Sequence, residues 1–206
     1  MIENPEVNDV NYKEVGEFTY DEMKELLCKH FDIVVHYGTF ASIRDYKLSV
    51  VLSGERSKEV QKIKCSELAK SIPKFYVYHM ARVQQFYLEV LKFPKDKFRL
   101  FELNDKEKAF YNKYHFDMEV DIVNLGWTEV GGVHYRTDHD LKGHQEVSKQ
   151  NLSVTDEESK SKFIPHVLEL SFGVDRNFVA LINYAYEFDK KRENIILHLH
   201  PRMAPY

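Results

Sequence analysis

Cysteine is nearly absent from this chain: among 206 residues only Cys28 and Cys65 carry a thiol. They lie far apart without metal-type spacing, so the expectation is two free thiols in a reducing compartment. No apolar run approaches the roughly 20 residues needed to cross a bilayer, which excludes a single-helix membrane anchor. The first residues, MIENPEVNDVNYKEVGEF, are acidic and polar, unlike a secretory signal or a transit peptide. Positive charge is not in excess either. The chain has 29 Lys and Arg against 33 Asp and Glu, a formal net charge of -4, so contact with RNA would need a local basic face. No Ser-His-Asp set, P-loop or dinucleotide fingerprint occurs, and no internal repeat or low-complexity tract is visible. What remains is a soluble, cytoplasmic domain with no membrane partner. Its 43% hydrophobic and 14% aromatic residues supply an ample core.

The residues that are present are strongly patterned. Thr19 to Phe31 reads as a short amphipathic helix, and Ile33 to Tyr37 and Tyr46 to Leu52 as β-branched strands. Ser66 to Phe93 is the longest helical region, interrupted at Pro73. Its stripe of Phe75, Tyr78, His79, Arg82, Phe86, Leu88 and Val90 reads as core packing. Phe98 to Leu103 is a short strand. Asp117 to Val123 alternates, with Asp117, Glu119 and Asp121 on one face and Met118, Val120 and Ile122 on the other. Asn124-Leu125-Gly126 is a turn, and Trp127 to Tyr135 returns as the partner strand. Asp138 to Lys149 is a helix, Lys149 to Lys162 a polar mobile loop, and Ile195 to His200 a last strand. Strands joined through short turns predict an α+β architecture, an antiparallel β-sheet flanked by helices.

Two stretches carry chemistry. In FIPHVLELSFGVDR, Phe163 to Arg176, an apolar run holds one carboxylate, Glu169, followed by Ser171, Gly173 and Arg176. From Phe172 the spacing becomes helical. A buried unpaired carboxylate is costly, so the strand is expected to run out into a ligand pocket. Ser171 would cap the helix and Arg176 would add positive charge. A strand whose Glu simply reaches solvent stays open. In the second stretch, Gly126 to His144, a regular strand would put Glu129, Gly131, Val133 and Tyr135 on one face. Gly131 and Gly132 weaken a strand unless something approaches the backbone closely. A carboxylate beside bare backbone suits an amine, and an edge bulge with Glu129 in solvent is the alternative. His139 and His144 would point about 140° apart on a helix, a poor metal clamp. Asp138 and Asp140 suit a helix N-terminus, and no metal site is expected.

Taken in order, EKAFYNKYHFDMEVDI, GWTEVGGVHYRTDHDLKGH and FIPHVLELSFGVDR resemble the C-terminal half of the catalytic domain of glycyl-tRNA synthetase. The last is similar to the third signature motif of the class II aminoacyl-tRNA synthetases. SIPKFYVYHMARVQQFYLEVLKF and ILHLHPRMAP fit as well, the latter where the family's anticodon-binding domain begins. The resemblance divides the chain into a divergent N-terminal segment, residues 1–63, and a class II synthetase-like core, residues 64–206. It implies ATP-dependent activation of glycine, with Mg²⁺, and transfer of glycine to tRNA(Gly). It also implies that Glu129 contacts the glycine amine, that Glu169 and Ser171 face the amino acid, and that Glu169 also borders the ATP site. Arg176 would be the catalytic arginine, stacking on adenine and contacting the phosphates. Gly131 and Gly132 would exclude larger amino acids, and Arg136 and Asp140 would keep the pocket loop ordered.

The sequence departs from the family at specific places. Leu170 stands where proline is usual, His134-Tyr135 where Ala-Asp is usual, and Phe110 and Tyr114 replace a histidine and an acid. No equivalent of motif 1, which builds the family's dimer interface, is found. No motif 2 stretch of the type Phe-Arg-Asn-Glu is found either; GEFTYDEM is faintly similar to the end of that motif but lacks the arginine that grips the ATP α-phosphate. The expectation is a glycyl-tRNA synthetase fragment or divergent form that alone does not activate glycine. It would act as a homodimer or with a chain supplying motifs 1 and 2. The alternative is a non-catalytic paralogue that binds protein or nucleic acid.

Overall fold

Period-two alternation is clearest over Tyr114–Ile122, where buried and half-buried residues alternate. The computed structural model describes residues 40–54, 59–156 and 159–203. The chain clusters into two units, Met1–Ser42 and Ile43–Tyr206, and the sheet and helices described here belong to the second. The helix expected over Thr19 to Phe31, the strand at Ile33 to Tyr37 and Cys28 lie outside the described residues. The first strands are β1 (Lys47–Val51), β2 (Gln61–Lys64), β3 (Phe98–Glu102), β4 (Tyr114–Ile122) and β5 (Gly126–Thr137). There follow β6 (Val154–Thr155), β7 (Lys162–Phe163), β8 (Val167–Phe172), β9 (Tyr186–Asp189) and β10 (Asn194–Leu197).

Six of these form one sheet in the order β2-β1-β3-β4-β5-β8, and β6-β7 and β9-β10 are separate hairpins. Neighbours in the sheet run antiparallel except β1 and β3, which pair in parallel. The α+β expectation holds, with that one pair making the sheet mixed. Its cause is the connection: the chain from β1 to β3 crosses over through α1 (Cys65–Leu68) and α2 (Lys74–Gln85) rather than through a tight turn. The strand β1, which falls within residues 1–63, and β2, which crosses the 63/64 boundary, belong to the same sheet as the rest.

Phe116, Met118, Val120 and Ile122 of β4 are buried, and α2 covers that face. Pro73 occupies the N-cap position of α2, where its missing N–H costs nothing. The buried face of α2 is Tyr76, Val77, Met80, Ala81, Val83 and Gln84, whereas Phe75 and Phe86 of the expected stripe are exposed. Helix phase is the reason. Tyr76, Met80, Val83 and Tyr87 form one row at three- and four-residue spacing, and Phe75, His79, Arg82 and Phe86 form the neighbouring row, turned about 100° from it; a π-helical turn follows over Phe86–Val90. Two polar ties fix the layer: the Tyr76 hydroxyl donates to the Val133 carbonyl at 2.6 Å, and the buried Ser49 N–H donates to Gln84 Oε1 at 2.7 Å. Cys65 is buried, and burial pushes its thiol up to about 11.

The turn between β4 and β5 has left-handed backbone at Asn124 and Gly126, as the Asn-Leu-Gly sequence predicts. Beyond β5 lie α3 (His139–Ser148) and, after β8, α4 (Val174–Ala185). The stretch from Lys149 to Lys162 contains β6 and leads into β7. Among the described residues no helix is long and apolar enough to cross a membrane.

Candidate functional site

The face of the sheet opposite α2 is polar. Cross-strand register places Arg99 opposite Glu119. It also pairs His115 with His134, Asp117 with Gly132, and Glu119 with Glu129. On β8, Ser171 lies opposite Gly132 and Glu169 opposite His134. Two of the sequence-derived segments therefore meet edge to edge.

A β-bulge decides where Glu129 goes. Met118 pairs with Gly131 but Glu119 pairs with Glu129, so Val130 is the extra residue of β5. From there towards Gly126 the strand is out of phase with its other half. Glu129 accordingly shares the polar face with Gly132 and His134, not the face of Gly131, Val133 and Tyr135 that a regular strand predicts. The bulge is anchored: the Val130 carbonyl accepts from Gly173 N at 2.9 Å and from Asn177 Nδ2 at 2.7 Å. This ties the first turn of α4 to β5 and brings Arg176 over Glu129. Arg176 Nη1 donates to the Glu129 backbone oxygen at 3.0 Å and to its Oε2 at 3.2 Å. Both side chains are more than half exposed, 57% and 53%.

Ser171 does not cap α4. Gly173 holds the N-cap position with no side-chain cap, because the register of β8 points Ser171 onto the polar face. There its hydroxyl and His134 Nε2 share a hydrogen bond at 3.0 Å.

Arg136 is the most constrained cation of the face. Its Nε and Nη2 donate to the two Asp140 oxygens at 2.6 and 2.8 Å, and Nη1 donates to Glu169 Oε2 at 2.6 Å. The guanidinium carbon also lies 4.4 Å from the Tyr111 ring centroid. The Arg136 hydrogen bond holds the Asp140 carboxyl below its ordinary range. Glu169 thus meets Arg136, and Arg136 joins α3 to β8 through one fork.

Sequence reasoning assigned no role to the adjoining layer. Arg99 Nε donates to Glu119 Oε2 at 2.5 Å, with its guanidinium 4.2 Å from the Trp127 ring. Burial raises the Glu119 carboxyl even though Arg99 opposes that shift. His115 Nε2 is 3.0 Å from Asp117 Oδ1. The available signal was the alternating acids of β4; their partners depend on pairing between distant strands.

The two glycines serve different neighbours. A Cβ on Gly131 would lie 2.4 Å from the Ser171 carbonyl oxygen, and one on Gly132 would lie 2.4 Å from His134 Nε2. Among the departures from the family pattern, Leu170 lies opposite Val133, Phe110 is 88% exposed, and Tyr114 stacks on Tyr135 at 6.1 Å. His139 stacks on Tyr111 with ring centroids 5.8 Å apart. Among the described residues no group of three His, Cys, Asp or Glu is placed to hold a metal ion.

No family model matches the chain. Individual proteins do. A glycine–tRNA ligase of Lachnoclostridium phytofermentans is 38% identical over 122 residues, 58% of this chain and 26% of that protein. The glycine–tRNA ligase of Clostridium tetani is 37% identical over 123 residues, again 58% and 26%. That of Borreliella afzelii is 32% identical over 142 residues, 66% of this chain and 32% of the relative. The chain spans about a quarter to a third of the length of the curated relatives it matches. Through this shared segment the chain is a relative of the glycyl-tRNA synthetases, as its sequence resemblance implies, and it matches a part of such a protein rather than the whole.

Proposed function

We propose that the polar face is the amino-acid and nucleotide end of a glycine-activating site, and that the chain supplies this part of a glycyl-tRNA synthetase. The observation that supports the reading is the Glu129–Arg176 pair, a carboxylate and a guanidinium in contact at 3.2 Å and both largely exposed. An exposed pair of this kind contributes only about 0.2–1 kcal/mol, so each partner exchanges the other for a ligand at low cost. Glu129 would take the ammonium of glycine, and Arg176 the phosphates and adenine of ATP.

In the parent reaction a glycine carboxylate oxygen attacks the α-phosphorus of ATP, and pyrophosphate leaves with the electrons of the broken P–O bond. A terminal tRNA(Gly) hydroxyl then attacks the glycyl carbonyl and releases AMP. The protein's part is orientation and charge stabilisation. Arg176 offsets charge on the leaving phosphates. Glu129 orients the amine, with Glu169 and Ser171 beside it, and Arg136 and Asp140 hold Glu169 in place. Mg²⁺ does not fit as a group held by this face, since Glu119, Asp117, Asp140 and Glu169 are engaged by Arg99, His115 and Arg136, which leaves Glu129 as a single exchangeable carboxylate. The α-phosphate contact would come from a motif 2 arginine in a homodimer partner or in a chain supplying motifs 1 and 2.

The same internal pairing favours a second reading, a non-catalytic accessory subunit that binds protein or nucleic acid. Titration calorimetry with 5′-O-(glycylsulfamoyl)adenosine separates the two. Binding that weakens about tenfold or more in Glu129→Gln and in Arg176→Ala supports the glycine-site reading. Binding unchanged by both substitutions overturns it, and no binding by the native chain favours the accessory reading.

A further inference from the structure

His134 sits two residues beyond Gly132 on the same side of β5, and its imidazole folds back over that glycine. The space a Gly132 Cβ would enter lies 2.4 Å from Nε2 and 2.7 Å from Cε1 of the ring. The ring is held rather than dangling. Nε2 bonds the Ser171 hydroxyl at 3.0 Å. The His115 ring packs against the imidazole with centroids 4.1 Å apart, and Asn112 Nδ2 lies 3.4 Å from Nδ1 of both histidines. Asn112 is buried, and its Oδ1 has no partner, so the amide has committed its donor side to the two rings. Opposite His134 in register, Glu169 is turned to Arg136.

We infer that His134 is a specificity-determining plug in the glycine subsite: its imidazole covers the Gly132 backbone and occupies Ser171, and a glycyl group enters only as the ring rotates off them. The inference rests on the glycine-site reading above and deepens it. An imidazole ring is about the size of glycine and, like it, carries hydrogen-bonding nitrogen, so the two compete for the same space and the same hydroxyl. The side chain is only partly buried, which leaves a rotamer change open to it. The Arg176 end is separate, so nucleotide affinity is independent of the ring's position.

The test is calorimetric titration of the native chain and of His134→Ala with 5′-O-(glycylsulfamoyl)adenosine and, separately, with ATP. His134→Ser serves as a second variant, and thermal melts check that each is folded. The expected result is analogue affinity at least about tenfold tighter in both variants, ATP affinity unchanged, and loss of the gain when Glu129→Gln is added to His134→Ala. Equal analogue affinity for the native chain and both variants overturns the plug and leaves the glycine-site reading standing. No analogue binding by any of the three overturns both.

Discussion

Gly131 of β5 and Ser171 of β8 are in backbone contact so close that a Cβ on Gly131 would lie 2.4 Å from the Ser171 carbonyl oxygen and 3.1 Å from Met118 Sδ. The obstacle is backbone, which cannot swing aside. Gly131→Ala is therefore expected to destabilise the domain by about 1–3 kcal/mol through overpacking. Urea unfolding followed by circular dichroism reads the change, and an unshifted midpoint would show that β8 yields without cost.

Asn177 holds together three elements that the sequence does not connect. Its Nδ2 donates to the Val130 carbonyl at 2.7 Å and to the Gly173 carbonyl at 2.9 Å, and its Oδ1 accepts from the Tyr87 hydroxyl at 2.6 Å. Asn177→Ala leaves the buried Tyr87 hydroxyl without its acceptor and strips the side-chain donor from the Val130 and Gly173 carbonyls, which keep only their backbone donors, at a cost of about 1–3 kcal/mol. It also frees the turn that carries Arg176, so adenylate-analogue affinity falls along with the melting temperature. A variant that melts earlier but binds as well as the native chain would separate the anchor from the site.

The Arg136 fork is bidentate towards Asp140 and reaches Glu169 with a third bond. Lysine keeps the charge but not the fork. Arg136→Lys is expected to lower stability by about 1–2 kcal/mol, visible as a reduced midpoint in urea. If lysine proves equivalent, charge alone holds α3 against β8.

Acid should weaken the fold before its carboxylates titrate. Burial holds His79 below its ordinary 6.5. Burial, followed by the neighbouring His115, does the same to His134. The native state keeps both rings neutral where the unfolded chain binds protons, so stability is fully present above about pH 6.5 and falls as pH drops from there towards the depressed native values. Urea midpoints at pH 7.5 and pH 5 should show a smaller loss in His79→Gln than in the native chain. An equal loss in both proteins would remove His79 from the account.

Much of the scaffold could be read directly. The alternation of Met118, Val120 and Ile122 with Asp117, Glu119 and Asp121 marks β4, and Asn124 and Gly126 mark its turn into β5, because both signals are local. The face of α2 was less legible: its buried side is Tyr76, Val77, Met80, Ala81, Val83 and Gln84. A stripe chosen by aromatic content picks the neighbouring row of the helix, with Phe75 and Phe86 exposed. At the polar face Glu129, Glu169, Ser171 and Arg176 were legible as chemistry, but their partners were not.

By itself, then, the sequence determined the segments of β1, β3, β4, β5, β8, α2, α3 and α4, though not β2, β6, β7 or β9, and it determined the turn between β4 and β5 and the resemblance to the glycyl-tRNA synthetases. These are carried by residue types at short spacing. Only the tertiary structure decided that Val130 is a bulge, that Glu129 turns to Arg176, that Glu169 turns to Arg136, and that His134 lies on Gly132. The physical reason is register. One extra residue in a strand moves every side chain beyond it to the other face, and whether it is extra depends on β4, β8 and α4, which meet β5 only when the chain is folded.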